Sequence, residues 1–418
     1  MTRFDERLQC VSCEARYGVL EVRYRCECGG LLSLERKVGW ARELSPAQFD
    51  ARLTSRRAVD RSGVWRFREA VLGCDEREIV THPEGATRLY ESARLAEYAG
   101  IASIRFKHEG ENPTGSFKDR GMTVATTQAV RTGARAVACA STGNTSASLA
   151  AYAAGAGLRA IVFVPAGKIA MGKLAQTLAY GATVLAVRGD FDDAMRLVDE
   201  ASTKLGIYLL NSINPFRIEG QKTIGWEILQ DLNWHAPDWI VLPAGNLGNT
   251  SAIGKAMLEA YEGGWIDKLP RIASVQALGA NPFYRGFMGG FQERFRMQAE
   301  TIASAIRIGD PVSWDKARAV IAKTNGVVTE VTDDAILDAK TAIDAAGIGC
   351  EPASACSLAG ARRLRSEGVI GRDETVVGIL TGNLLKDPEI VLKRFEREGG
   401  SRMIEIDPKI DDVARVLG

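Results

Sequence analysis

The feature that most constrains this chain is a rhythm. From about residue 100 onward, short β-rich runs alternate with stretches long enough to form helices. The runs lie at 103–109, 136–142, 160–165, 183–189, 207–212, 239–245, 271–277 and 375–382. A parallel strand pair needs a crossover connection, and most of the intervening segments can supply one. Parallel sheets bury both faces, so helices are expected on both sides. The predicted class is α/β, with two interleaved open sheets and a cleft beyond the carboxyl ends of their strands, where such sheets hold ligands. No tandem repeat, low-complexity tract or long Pro/Ser linker breaks the pattern.

A chain of 418 residues is too long for one typical domain. The division expected is an N-terminal segment over 1–58, a large domain built from 59–125 and 215–418, and a small mobile α/β domain over 126–214. Lys plus Arg number 53 against 52 Asp plus Glu, so no global basic field exists to hold nucleic acid or an acidic membrane. Any anion must be bound at a local site. The N-terminus is charged where a signal peptide needs an apolar run, and eighteen consecutive apolar residues occur nowhere. The expected location is the cytoplasm.

Four strand-to-helix turns carry candidate chemistry. Residues 111–121 read Glu-Asn-Pro-Thr-Gly-Ser-Phe-Lys-Asp-Arg-Gly and place Lys118 in the first turn of a helix. Pro113, Gly115 and Phe117 shape a rigid turn in which a lysine can be desolvated and made a usable amine. In the second, Ser141, Thr142, Asn144 and Thr145 lie where a strand gives way to a helix, whose free N–H groups favour an anion. The third runs through Gly245, Asn246, Leu247, Gly248, Asn249 and Thr250. Its glycines let the backbone close on a phosphate, but it lacks the spacing of a nucleotide loop. In the fourth, Asn211 and Ser212 precede Arg217, which can fork two hydrogen bonds onto a phosphate. Farther on, Thr381 ends an apolar strand.

The Asn-Pro-Thr-Gly-Ser-Phe-Lys-Asp-Arg string resembles the cofactor-lysine segment of fold-type II pyridoxal-phosphate (PLP) enzymes, and of the threonine synthase family in particular. That resemblance extends through five segments in family order and implies roles for each. Lys118 would carry PLP and move protons, Asn144 would meet the cofactor's ring hydroxyl, and Thr381 its ring nitrogen. Gly245 through Thr250 would grip the cofactor phosphate. Ser141, Thr142 and Thr145 would hold anionic groups of the substrate, and Asn211, Ser212 and Arg217 its phosphate. The implied substrate is the phosphorylated amino acid O-phosphohomoserine, converted with water to threonine and phosphate, and the implied assembly is a homodimer. Two rivals remain: an enzyme acting on another O-phospho amino acid, such as a cysteate synthase-like or dehydratase-like activity, and a non-catalytic PLP-binding paralogue. Glu351, in the similar segment 351–355, is given no catalytic role. Arg88 stands where the family usually has proline, which puts the geometry of that turn in question.

Of the eight cysteines, Cys74, Cys139, Cys350 and Cys356 sit among small and apolar residues and read as buried thiols. Cys10, Cys13, Cys26 and Cys28 form two close pairs that resemble a small zinc-ribbon-like unit. Four thiolates would close a structural Zn2+ site with no open position. The single residue between Cys26 and Cys28 departs from the usual two-residue knuckle, and reduced, partly degenerate thiols are the alternative.

Overall fold

The computed structural model describes residues 5–167, 171–397 and 404–417. Met1–Lys386 form one compact unit; in the second, Asp387–Gly418, the described residues include helices Pro388–Arg397 and Ile410–Leu417. The strands in chain order are β1 (Arg7–Cys10), β2 (Arg16–Gly18), β3 (Leu32–Glu35), β4 (Leu89–Glu91), β5 (Ser103–His108), β6 (Ala136–Ala140), β7 (Arg159–Pro165), β8 (Thr183–Val187), β9 (Tyr208–Leu209), β10 (Trp239–Pro243), β11 (Arg271–Ala277), β12 (Val327–Val331) and β13 (Thr375–Leu380). They make a three-stranded sheet β2-β1-β3, a six-stranded sheet β12-β11-β10-β13-β5-β4 and a four-stranded sheet β8-β7-β6-β9.

Each of the eight expected runs is a strand. Several stop short of the expected end because Thr142, Gly245 and Gly382 already belong to loops. The larger sheet is not wholly parallel: β4 runs antiparallel to β5, because the short helix Ala93–Ala99 reverses the chain between them. Both β4 and β12 were absent from the expected set. They are short edge strands whose polar residues blur the apolar signal. At the centre, every residue of β10 is buried, as a strand covered on both faces requires. Among the described residues no helix is long and apolar enough to cross a membrane.

The N-terminal sheet is fastened to the helices that frame the cleft by charge as well as by packing. Lys255 and Lys316 donate to the Leu34 and Leu32 carbonyls of β3, each at 2.6 Å. Arg36, just past β3, pairs with Glu6 at 3.0 Å and Glu219 at 3.1 Å. Glu219 also receives Lys222 at 2.6 Å and Lys255 at 2.7 Å. Burial opposes charge on Glu219, but these cations hold its carboxyl far below the usual range.

Two glycines set the closest helix contact. A Cβ on Gly220 would lie 1.7 Å from the Arg120 carbonyl oxygen, and one on Gly121 would lie 3.1 Å from that of Arg217. Helix Pro215–Gln221 can therefore lie directly on helix Lys118–Arg131, which brings Arg217 beside the first turn of the lysine helix.

Candidate active site

Lys118 is the first residue of its helix, as the sequence suggests. The turn before it is fixed by the next residue. Asp119 accepts from Thr114 N at 2.7 Å and Thr114 Oγ1 at 2.6 Å, and the Ser148 hydroxyl donates to it from helix Asn144–Gly155. Burial pushes the Asp119 carboxyl up to about 6 against those hydrogen bonds. Arg120 points the other way, into the core. Its guanidinium forks onto Glu109 at 2.6 and 2.7 Å and reaches Glu227 at 2.6 Å. Zipping the turn to the end of β13, Phe117 N donates to Thr381 O at 3.1 Å and Asn383 N to Gly115 O at 2.9 Å.

The Lys118 ammonium lies 4.0 Å from the Phe117 ring centre. Burial first, and then the neighbouring Arg217 charge, bring its pKa down to about 7, while Glu351 pulls the other way. Near neutrality a large fraction of this side chain is a free amine. Arg217 is itself buried, at 3% exposure. Its Nη1 donates to Leu210 O at 3.2 Å, its Nε has no partner, and no carboxylate pairs with it among the described residues. Burial pulls even this guanidinium down to about 10. A buried cation left without an anion is costly unless a ligand supplies one.

At the end of β10, Leu247 adopts φ 64° and ψ 10° and caps helix Gly248–Glu262. A left-handed residue followed by a helix start turns successive N–H groups toward one point, a nest for an anion. Asn249 is buried there with neither its Nδ2 nor its Oδ1 partnered. Asn246 links this loop to the neighbouring segment, donating from Nδ2 to Ser212 Oγ at 3.2 Å. Thr250 turns away, with its hydroxyl 2.8 Å from Ser274 Oγ in β11. Asn211 is also engaged by protein, accepting from Ala140 N at 3.1 Å. Ser141, Thr142, Gly143, Asn144 and Thr145 are all half-buried at the head of their helix.

Glu351 is the site residue the sequence reading passed over. Only 2% exposed, it accepts from Asn144 Nδ2 and from Thr381 Oγ1, each at 3.0 Å. One carboxylate thus joins the two residues for which the resemblance implies contacts to the ring hydroxyl and the ring nitrogen. Ser354 completes the arrangement, accepting from Thr381 N at 2.8 Å and Gly382 N at 3.0 Å. The available signal was the acid immediately before Pro352, the first residue of helix Pro352–Ser366, which fixes its side chain at a helix entrance.

The turn holding Arg88 closes without proline. Arg88 N donates to Glu111 Oε2 at 2.8 Å, a bond proline could not make, and its exposed guanidinium pairs with the same carboxylate at 3.1 Å. The sulfurs of Cys10, Cys13, Cys26 and Cys28 all lie within 4.8 Å of one another. All eight cysteines are free thiols; Cys139, Cys350 and Cys356 are buried and Cys74 is half-buried.

The pyridoxal-phosphate dependent enzyme family matches residues 80–382. Threonine synthase of Methanocaldococcus jannaschii is 46% identical over 98% of both chains, and that of Methanosarcina acetivorans 49% identical over 98% of both. Among solved structures, threonine synthase from Escherichia coli superposes with a TM-score of 0.71 at 18% identity, covering 98% of this chain and 94% of that one, which speaks to the fold. With its lysine turn, anion nest and unpaired arginine gathered at the carboxyl ends of parallel strands, and with relatives matching along nearly its whole length, this chain belongs to the threonine synthase family of pyridoxal-phosphate-dependent enzymes.

Proposed function

We propose that the protein converts O-phosphohomoserine and water to L-threonine and phosphate. The observation that carries this reading is Arg217: a buried guanidinium without a carboxylate partner, one helix contact away from Lys118. It supports a substrate that brings its own phosphate, separate from the cofactor's. The residues present also fit PLP. The nest at Leu247–Gly248 and the unpartnered amide of Asn249 suit its phosphate, and Asn144 and Thr381 suit two edges of its ring. When bound, PLP supplies an electron sink for negative charge developing on substrate carbons.

The chain's own groups supply the rest. Lys118 Nζ, neutral in a large fraction near pH 7, takes one proton from the substrate α-carbon and one from the β-carbon, which lets the γ-phosphate leave. One proton then goes to the γ-carbon, water gives its hydroxyl to the β-carbon and its proton to the phosphate, and the last proton returns to the α-carbon. Arg217 and Ser212 hold the leaving phosphate; the helix start at Ser141, Thr142 and Thr145 receives the remaining anionic end. Thr381, a neutral hydroxyl, does not force the ring nitrogen to stay protonated. The four-stranded sheet with its helices, 126–214, acts as the moving unit that closes on substrate.

Purified protein given O-phosphohomoserine is expected to release phosphate and threonine in equal amounts and to leave O-phosphoserine intact. Arg217→Met is expected to raise KM for O-phosphohomoserine about 10- to 100-fold, the loss of a charge-assisted contact. Turnover of O-phosphoserine alone would move the reading to another O-phospho amino acid enzyme. Unchanged KM in the arginine variant would take the substrate phosphate away from that site.

We further propose that Cys10, Cys13, Cys26 and Cys28 hold a structural zinc, supported by the convergence of their sulfurs and the closed, four-thiol donor set. Metal analysis is expected to find about one zinc per chain. Chelation should lower the thermal midpoint without stripping PLP. A protein free of zinc and indifferent to chelator would leave reduced thiols as the better description.

A further inference from the structure

Lys386 lies beyond the site residues assigned above, yet the fold draws it into their midst. It follows the end of β13, its backbone N–H donating to Asn383 O at 3.1 Å, while Asn383 is itself zipped to Gly115 in the lysine turn. Its Cε stands 3.0 Å from where a Cβ on Gly115 would sit, so the aliphatic stem runs over the turn that delivers Lys118. Its ammonium donates to the side-chain oxygen of Gln176 on helix Met171–Ala179. The next residue, Thr177, is buried and donates to Ser146 Oγ at 3.1 Å, in the same first helical turn as Asn144 and Thr145.

This places a half-buried ammonium where the lysine turn, the end of β13 and the head of helix Asn144–Gly155 meet. Among the described residues its polar partner is a neutral amide. The charges that act on it are those of Asp119 and Glu351, and both already serve other donors: Thr114 and Ser148 for the first, Asn144 and Thr381 for the second. An amide is a poor partner for a desolvated ammonium, and a ligand carboxylate is a better one. The substrate has two anionic ends. Arg217, in helix Pro215–Gln221, acts on Lys118 and has no carboxylate partner among the described residues, which suits the phosphate; Lys386 is linked through Gln176 and the adjacent Thr177 to the first turn of helix Asn144–Gly155.

Resting on the reading of the site as that of a PLP-dependent amino-acid enzyme, we infer that Lys386 joins the 141–145 turn in binding the α-carboxylate of the substrate, exchanging the Gln176 amide for it. Nothing in the lysine turn or the phosphate loop changes in this exchange, so PLP binding is independent of it. Because helix Met171–Ala179 is the partner released, the same exchange frees that helix to adjust around the bound amino acid.

The test is a binding comparison on PLP-loaded protein, following cofactor absorbance with L-threonine and with L-threoninamide, which lacks the carboxylate charge. It needs no turnover of O-phosphohomoserine, so a wrong substrate assignment would leave it intact. Wild-type protein is expected to prefer threonine by about 10- to 100-fold. Lys386→Met should lose most of that preference by weakening threonine and not the amide, Lys386→Arg should retain most of it, and both should keep full PLP content. A Met variant that still prefers threonine as wild type does, weakens both ligands equally or loses PLP would overturn the inference.

Discussion

Replacing Lys118 by alanine is expected to reduce turnover by about 10⁴-fold or more, because one group is asked both to hold the cofactor and to move protons. The fold should not suffer. Burial and Arg217 both disfavour the charged amine, so its removal relieves a cost and the variant should melt at or above the temperature of cofactor-free wild type. Phosphate release and a thermal melt, run side by side, check both halves. The same environment predicts a pH dependence. A lysine with a folded pKa of about 7 exposes a growing fraction of neutral amine as pH rises through 7, whereas an ordinary one does so only near ~10.4. The rate at which cofactor-free protein captures added PLP should therefore climb around pH 7 and level off above pH ~8. A rate still climbing at pH 9 would mean that Lys118 is not depressed.

The second large effect concerns stability. Arg120→Met removes the cation on which the Glu109 and Glu227 carboxylates converge, at 0% and 2% side-chain exposure. Glu227 keeps Lys107 at 3.0 Å and Arg66 at 3.1 Å, but Glu109 is left with the neutral donors Thr87 and Asn112. Breaking a buried pair from one side costs about 3–5 kcal/mol, because it strands a charge that water cannot reach. Arg120→Lys should recover only part of this, since an ammonium cannot reproduce the fork. The Arg88–Glu111 pair, whose guanidinium lies in solvent, is the control: Arg88→Met should leave the denaturant midpoint nearly unchanged. Denaturant midpoints for the three variants settle the order. A shift for Arg120→Met no larger than that for Arg88→Met would show that the network contributes little.

The sequence made the parallel sheets legible because central strands such as β10 and β13 are almost wholly buried and read as apolar runs. It concealed β12, where Thr329 and Glu330 interrupt the run, and the N-terminal strands, where cysteines and arginines mask the alternation. Lys118, Asn144, Thr381 and the 245–250 loop became candidates through the resemblance of their segments to the family; glycine and proline turns by themselves mark only where the strands end. Glu351 could not, since its position depends on contacts with residues 207 positions before it and 30 after it in the chain. The same holds for Lys386, whose amide partner on a distant helix is visible only once the chain is folded.

The way β3 is fastened bears on how the N-terminal segment can be handled. Lys255 and Lys316 spend their hydrogen bonds on its carbonyls, and Arg36 neutralises part of Glu219. A shortened chain beginning near residue 59 would therefore expose a seam of half-satisfied charges along helices Trp314–Lys323, Gly248–Glu262 and Pro215–Gln221, the last two of which carry the proposed phosphate-binding turn and Arg217. What looks in the sequence like a detachable module serves in the fold as a counter-ion for the helix that carries Arg217, and trimming it should weaken anion binding at the proposed site before it touches any reacting group.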